Sequence, residues 1–168
     1  SALIFVIINC LLFIGTTYLI NPLCLALSPV ALLVILGYSY TKRFTALCHL
    51  VLGLGLALVP IGAYLAVSGE FNIIPLLFSA AVIFWVSGFD IIYSLQDQEF
   101  DKEQKLHSIP VMIGTKNALN LSKLLHFFTF SSLSIAGSLG DFSLYYWIGF
   151  WIFTTLLIYQ HILLKHND

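Results

Sequence analysis

Charge is the scarcest property of this chain. Asp, Glu, Lys and Arg make up 9% of its 168 residues against 60% hydrophobic ones, and the mean hydropathy is +0.98. A formal net charge of −1 offers no basic surface for a nucleic-acid partner. Cysteine is nearly as rare. Cys10, Cys24 and Cys48 are odd in number and lack metal-ligand spacing, so they read as small apolar packing residues. No GxGxxG segment, Walker loop, Ser/His/Asp set or Cys/His cluster is present, which removes the nucleotide-binding, hydrolase and zinc classes that depend on them.

What the chain has instead is long apolar runs. A helix needs about 20 apolar residues to cross a hydrocarbon core of roughly 30 Å. Six such segments follow one another, over Ala2 to Ile20, Pro22 to Tyr40, Leu47 to Val67, Ile73 to Leu95, Ala118 to Leu139 and Phe142 to Leu164. Runs such as LVLGLGLALVPIGAYLAV are apolar on all sides, which excludes the alternation of a lipid-facing strand barrel. Only an internally hydrogen-bonded helix satisfies its backbone in lipid, so the expected fold is all-α, a polytopic transmembrane bundle forming a single domain over residues 1–168. The first segment has neither a basic leader nor a small-residue cleavage site and reads as a span, not a cleavable signal peptide.

The few cations sort by side. With the connections numbered alternately, Lys42 and Arg43, then Lys102, Lys105, Lys116 and Lys123, and finally Lys165 all fall on one face. The opposite turns, Asn21-Pro22, Ser68 to Asn72 and Gly140-Asp141, carry no Lys or Arg. The positive-inside rule therefore predicts a cytoplasmic location for the basic face and for both ends of the chain.

Six of the chain's fifteen Asp, Glu, Lys and Arg residues crowd into one window, YSLQDQEFDKEQKLHSIP, from Tyr93 to Pro110. Asp97 and Asp101 are spaced i, i+4, so a helix continuing past the membrane surface would place them on one face, where like charges repel. An oxygen-only pair suits Mg²⁺, which keeps several waters and binds through one or two carboxylates plus a phosphate. The other reading is a solvated helix end, with Glu99 and Glu103 as a second acidic pair neutralised by Lys102 and Lys105. Asp90 lies seven residues before Asp97, inside a span, where an ionisable group marks either a functional site or a hydrogen-bonded structural acid. Across the same face, Lys42 and Arg43 are either snorkelling topology markers or holders of diphosphate oxygens, with Tyr38 one turn before Lys42.

These motifs together resemble the UbiA-type intramembrane prenyltransferases, in the branch related to 4-hydroxybenzoate polyprenyltransferase. The family's second aspartate motif, DxxxD, corresponds to Asp97 through Asp101, preceded by Phe89-Asp90 and followed by an LHSIP segment at Leu106 to Pro110. Its YxxxK motif corresponds to Tyr38 through Lys42. The resemblance implies a lipid-open cavity in which two aspartate motifs hold Mg²⁺ around the diphosphate of an isoprenyl donor. A prenyl cation then reacts with an electron-rich aromatic acceptor. It implies Asp97 and Asp101 as metal ligands, Lys42 as a diphosphate contact supported by Tyr38, and Asp90 in orienting the acceptor or removing its proton. Arg43, Lys105, His107 and Ser108 complete the set of candidate substrate contacts. The partners so implied are a polyprenyl diphosphate, an aromatic acceptor of the kind used in ubiquinone or menaquinone biosynthesis, and the bilayer of a bacterial inner membrane.

The chain departs from the family pattern in two ways. Nothing here matches the family's first aspartate motif, and the segments resemble helices three to eight of a nine-helix fold, so the resemblance implies a partial domain. Lys105 also stands where the family often has Gly. The alternatives are a catalytically incompetent fragment and a non-enzymatic membrane protein, either a transporter or a structural subunit, although no internal repeat supports a transporter. A CDP-alcohol phosphotransferase would need a longer motif that is missing. Among the remaining residues, His126 reads as a hydrogen-bonded packing residue, while His49 and His161 read as markers of the membrane interface. Gly53, Gly55 and Gly62 fit close helix packing. Phe84, Trp85, Tyr145, Tyr146, Trp147 and Trp151 fit either a prenyl channel or interfacial belts.

Overall fold

A computed structural model describes residues 2–165. Ser1 and residues 166–168, with the end of the tail that resembles the approach to a ninth helix, lie outside the described residues. The helices are α1 (Ala2–Ile20), α2 (Pro22–Thr41), α3 (Cys48–Ser68), α4 (Ile73–Tyr93), α5 (Gln98–Glu103), α6 (Ile109–Ile113), α7 (Thr115–Leu139) and α8 (Leu144–Lys165). Six are long and coincide with the expected segments to within three residues at either end. The other two, α5 and α6, lie in the charged window and are too short to show a periodic pattern.

Five of the long helices are both long and apolar enough to cross a membrane. The sixth, α7, has 25 residues and carries Lys116, Asn117, Asn120 and Lys123 in its first turns, so part of it belongs to the polar end of the bundle. The turns at the other end are built by their own residues. Asn21 caps α2 by accepting the Cys24 N–H at 2.8 Å, with Pro22 pre-set for the first helical position, and its amide also donates to the Leu65 carbonyl at 2.8 Å. Gly69 ends α3 with φ 72°, and Asn72 caps α4 by accepting from Ile74.

Helix α4 is the hub, packed between α3 and α7. Close approach comes from small residues and from hydroxyls bonded across helices, as expected in lipid, where apolar burial alone does not drive association. The Ser79 hydroxyl donates to the Ala57 carbonyl, Ser87 to His49 and Ser122 to Gly88, at 2.7, 3.1 and 2.7 Å. A methyl group at Gly53 would stand 2.5 Å from Ser87 Oγ and 2.7 Å from the Ile83 carbonyl, which confirms its packing role. Gly62 faces open space and Gly55 makes only an ordinary contact with Val34, so for these two the packing expectation is corrected. Two close approaches the sequence did not signal are Gly137 against the Tyr146 ring and Gly88 against the His126 ring.

Candidate active site

At the polar end of the bundle, the end of α2, the start of α3 and the end of α4 meet around one cavity of about 230 Å³. Helix α2 contributes Tyr38 and Ser39 with Lys42 just beyond it. The start of α3 gives Cys48, His49 and Leu52; the end of α4 gives Asp90 and Tyr93; Ser94 and Asp97 follow. Tyr38 and Lys42 therefore line the same cavity as Asp90 and Asp97, which lie some fifty residues further along the chain.

Helix α4 does not run on as a regular α-helix. After Tyr93 the N–H groups of Leu95, Gln96 and Asp97 bond three residues back, to Ile92, Tyr93 and Ser94, in a tighter winding. α5 restarts there, and Asp101 N–H donates to the Asp97 carbonyl at 2.8 Å. The i, i+4 relation between the two acids is kept, but their surroundings differ. Asp97 is exposed at the cavity, whereas Asp101 is fully buried with Lys42 Nζ 2.8 Å from its Oδ1. Lys42 itself retains 31% of its side-chain exposure. Asp101 Oδ2 receives no hydrogen bond from the described residues, and neither does the buried hydroxyl of Ser108.

The other candidates are placed less centrally. Arg43 is exposed with its guanidinium 5.9 Å from the Tyr40 ring centroid, and Lys105 and His107 are exposed outside the cavity. Ser108 is buried ahead of α6 and does not line the cavity. His107 still serves the site through its backbone, since its N–H donates to the Lys42 carbonyl at 2.8 Å. Gln98 adds two ties, donating to the Pro110 carbonyl at 2.9 Å and accepting from the Thr115 hydroxyl at 3.1 Å. Ile109 and Ala46 join Ile91, Ala118 and Leu125 in one buried cluster, which seats the charged window on apolar packing.

Lys105 has φ 54°, in the left-handed region. Its N–H bonds to the Lys102 carbonyl and that of Leu106 to the Asp101 carbonyl, the paired bonds of a Schellman C-cap on α5. Glycine is the residue that takes this position without steric cost, which gives a physical reason for the family's preference there. Lys105→Gly is expected to stabilise the protein by about 1 kcal/mol. Thermal unfolding in detergent with the melting temperature unchanged or lowered would contradict this.

His49 is the residue the sequence reading misplaced. It is 2% exposed, with Nδ1 2.6 Å from Asp90 Oδ2 and Nε2 accepting the Ile109 N–H at 3.3 Å, so it is a buried link and not an interface marker. A usable signal exists. His49 and Asp90 stand almost equally far, 19 and 18 residues, from the Ser68 to Asn72 turn, and an antiparallel hairpin of helices brings such positions together. Between α7 and α8, His126 Nδ1 lies 2.8 Å from His161 Nε2. His126 is thus the hydrogen-bonded packing residue expected, and His161 is half-buried in the pair. Trp85 accepts at its carbonyl from His126, at 3.3 Å. Its ring lines a second cavity of about 260 Å³ with Phe78, Leu133 and Phe153.

Fold and site define a polytopic membrane protein with an acid–base pocket at one end of its bundle. The whole chain, residues 1–168, matches the UbiA prenyltransferase family, and it belongs to that family. The chain is 31% identical over 146 residues to a 4-hydroxybenzoate octaprenyltransferase of Francisella tularensis subsp. novicida (strain U112), covering 87% of this chain and 51% of that protein. A protein of the same name from Tolumonas auensis is 28% identical over 167 residues, covering 99% and 58%. Among solved structures, the apo form of a UbiA homolog from Aeropyrum pernix K1 superposes with a TM-score of 0.91 at 29% identity, covering 99% of this chain and 63% of the other. The chain spans about half the length of the curated relatives it matches.

Proposed function

We propose that this chain forms part of an enzyme that transfers a polyprenyl group from a polyprenyl diphosphate to an aromatic acceptor such as 4-hydroxybenzoate, in a quinone-forming reaction. The observation that carries the reading is the meeting of Lys42, Tyr38, Asp90 and Asp97 at one cavity, with Asp101 held against Lys42. The names of the relatives supply the acceptor and donor classes.

In this reading Lys42 holds diphosphate oxygens as a point charge, with Arg43 at the mouth and Tyr38 flanking the reacting carbon. Lys105, His107 and Ser108 belong to the loop that frames this end of the site. Asp90, whose side chain is 28% exposed and lines the cavity, receives the proton that the acceptor ring gives up. Apolar walls around the remaining path keep water from the cation.

The residues fit a Mg²⁺ ion. Asp101 offers a buried carboxylate oxygen without a hydrogen-bond donor, and Asp97 offers an exposed one from the same side of α5. Mg²⁺ takes one or two carboxylates and completes its shell with water and phosphate. When bound, such an ion neutralises charge developing on the departing diphosphate. The distribution of Lys and Arg supports placing the site at the cytoplasmic face of a bacterial inner membrane.

The test is prenyl transfer by the full-length protein in membranes, using octaprenyl diphosphate and labelled 4-hydroxybenzoate. Labelled prenylated product is expected, and it should vanish with EDTA and return with Mg²⁺. Membranes that form no product at any Mg²⁺ concentration would overturn the reading.

A further inference from the structure

The contacts of His49 fix more than its position. A backbone N–H can only donate, so the Ile109 amide requires a lone pair on His49 Nε2. The ring hydrogen then sits on Nδ1, and the 2.6 Å contact with Asp90 is a hydrogen bond donated by His49 to the carboxylate. Ser87 donates to the His49 carbonyl, and the ring is almost wholly buried, so the donor does not move. Lys42 and Asp97 line the same cavity as Asp90, but the described hydrogen bonds give the Asp90 side chain one partner, His49.

We propose that His49 is a positioning residue that holds Asp90 aimed as the proton acceptor of the transfer, and couples that carboxylate to the Ile109 turn. The proposal rests on the prenyl-transfer reading above. In the step concerned, the donor's C–O bond breaks and its electron pair leaves on diphosphate. A ring π pair of the acceptor forms the new C–C bond. The adjacent C–H bond then returns its pair to the ring, and the proton passes to the Asp90 oxygen not bonded to His49. An imidazole with its hydrogen on Nδ1 keeps that carboxylate in one orientation until the proton arrives.

Two substitutions divide the two contacts. In His49→Asn the amide nitrogen replaces Nδ1 and keeps the bond to Asp90, while the Ile109 contact is lost. In His49→Gln the side-chain oxygen reaches the Nε2 position and keeps Ile109, while Asp90 loses its donor. In the full-length protein, His49→Gln is expected to lower kcat about 100-fold with KM nearly unchanged, and His49→Asn less than tenfold. Equal losses in both, following the folded fraction, would reduce His49 to a structural staple and overturn the proposal. A second readout does not depend on turnover. Nitrogen NMR of ¹⁵N-histidine-labelled protein should show a neutral ring protonated at Nδ1, assigned by its absence in His49→Asn and shifted in Asp90→Ala. A ring protonated at Nε2 overturns the role of His49 alone. A wild-type protein that transfers no prenyl group overturns the functional reading and, with it, the role of Asp90.

Discussion

Lys42→Met is expected to be the most destabilising single change at the site, costing about 3–5 kcal/mol. Asp101 is fully buried with Lys42 2.8 Å away, and its Oδ2 has no donor among the described residues, so removing the ammonium leaves a buried carboxylate without a counter-charge. The exposed third of Lys42 places the loss toward the lower end of the range. The companion test is Lys42→Met with Asp101→Asn, which removes the charge that needs a partner and should recover most of the loss. Unfolding in mixed micelles measures both. A single variant as stable as the wild type would show that the pair is not what holds α5 against α2. Neither variant should transfer a prenyl group, because the cation assigned to the diphosphate is gone.

Asp97→Asn should separate chemistry from stability. Asp97 is exposed at the cavity and has no ion pair among the described residues, so its charge contributes little to folding. If it binds the metal, Asp97→Asn should lower prenyl transfer about 10²–10³-fold and raise the Mg²⁺ concentration needed, with the melting temperature nearly unchanged. Asp101→Asn should lose activity as well, but it should also alter stability, because its loss strands Lys42. Turnover by Asp97→Asn at the wild-type rate and Mg²⁺ requirement would sink the metal-ligand assignment.

Most of the fold was legible because lipid leaves a chain few options. A run of about 20 apolar residues must be a helix, and turn residues such as Asn21-Pro22, Gly69 and Asn72 stop and start the helices where they stand. The charged window was legible as a place and as a set of residue types, but less so as geometry. The tight winding after Tyr93 depends on where the chain must land, and six-residue α5 contains too few turns for periodicity to show. The spacing of Asp97 and Asp101 survived, whereas the burial of one and the exposure of the other depended on Lys42 arriving from another helix. His49 was missed because its own neighbours, Cys48 and Leu50, make it look like any polar residue at a helix end. Its meaning lies in register with Asp90 across the α3–α4 hairpin.

The segment from Ser94 to Gly114 owes much of its order to residues outside it. His107 hangs on the Lys42 carbonyl, Ile109 on the His49 ring, and Asp101 on the Lys42 ammonium. It is therefore not a module that could be exchanged between relatives by itself. A chimera importing only this segment would bring a buried acid and two backbone donors into a host selected for different counterparts. The transferable unit is discontinuous, joining the segment to the end of α2 and the first turn of α3, and substitutions in these three stretches should be inherited together.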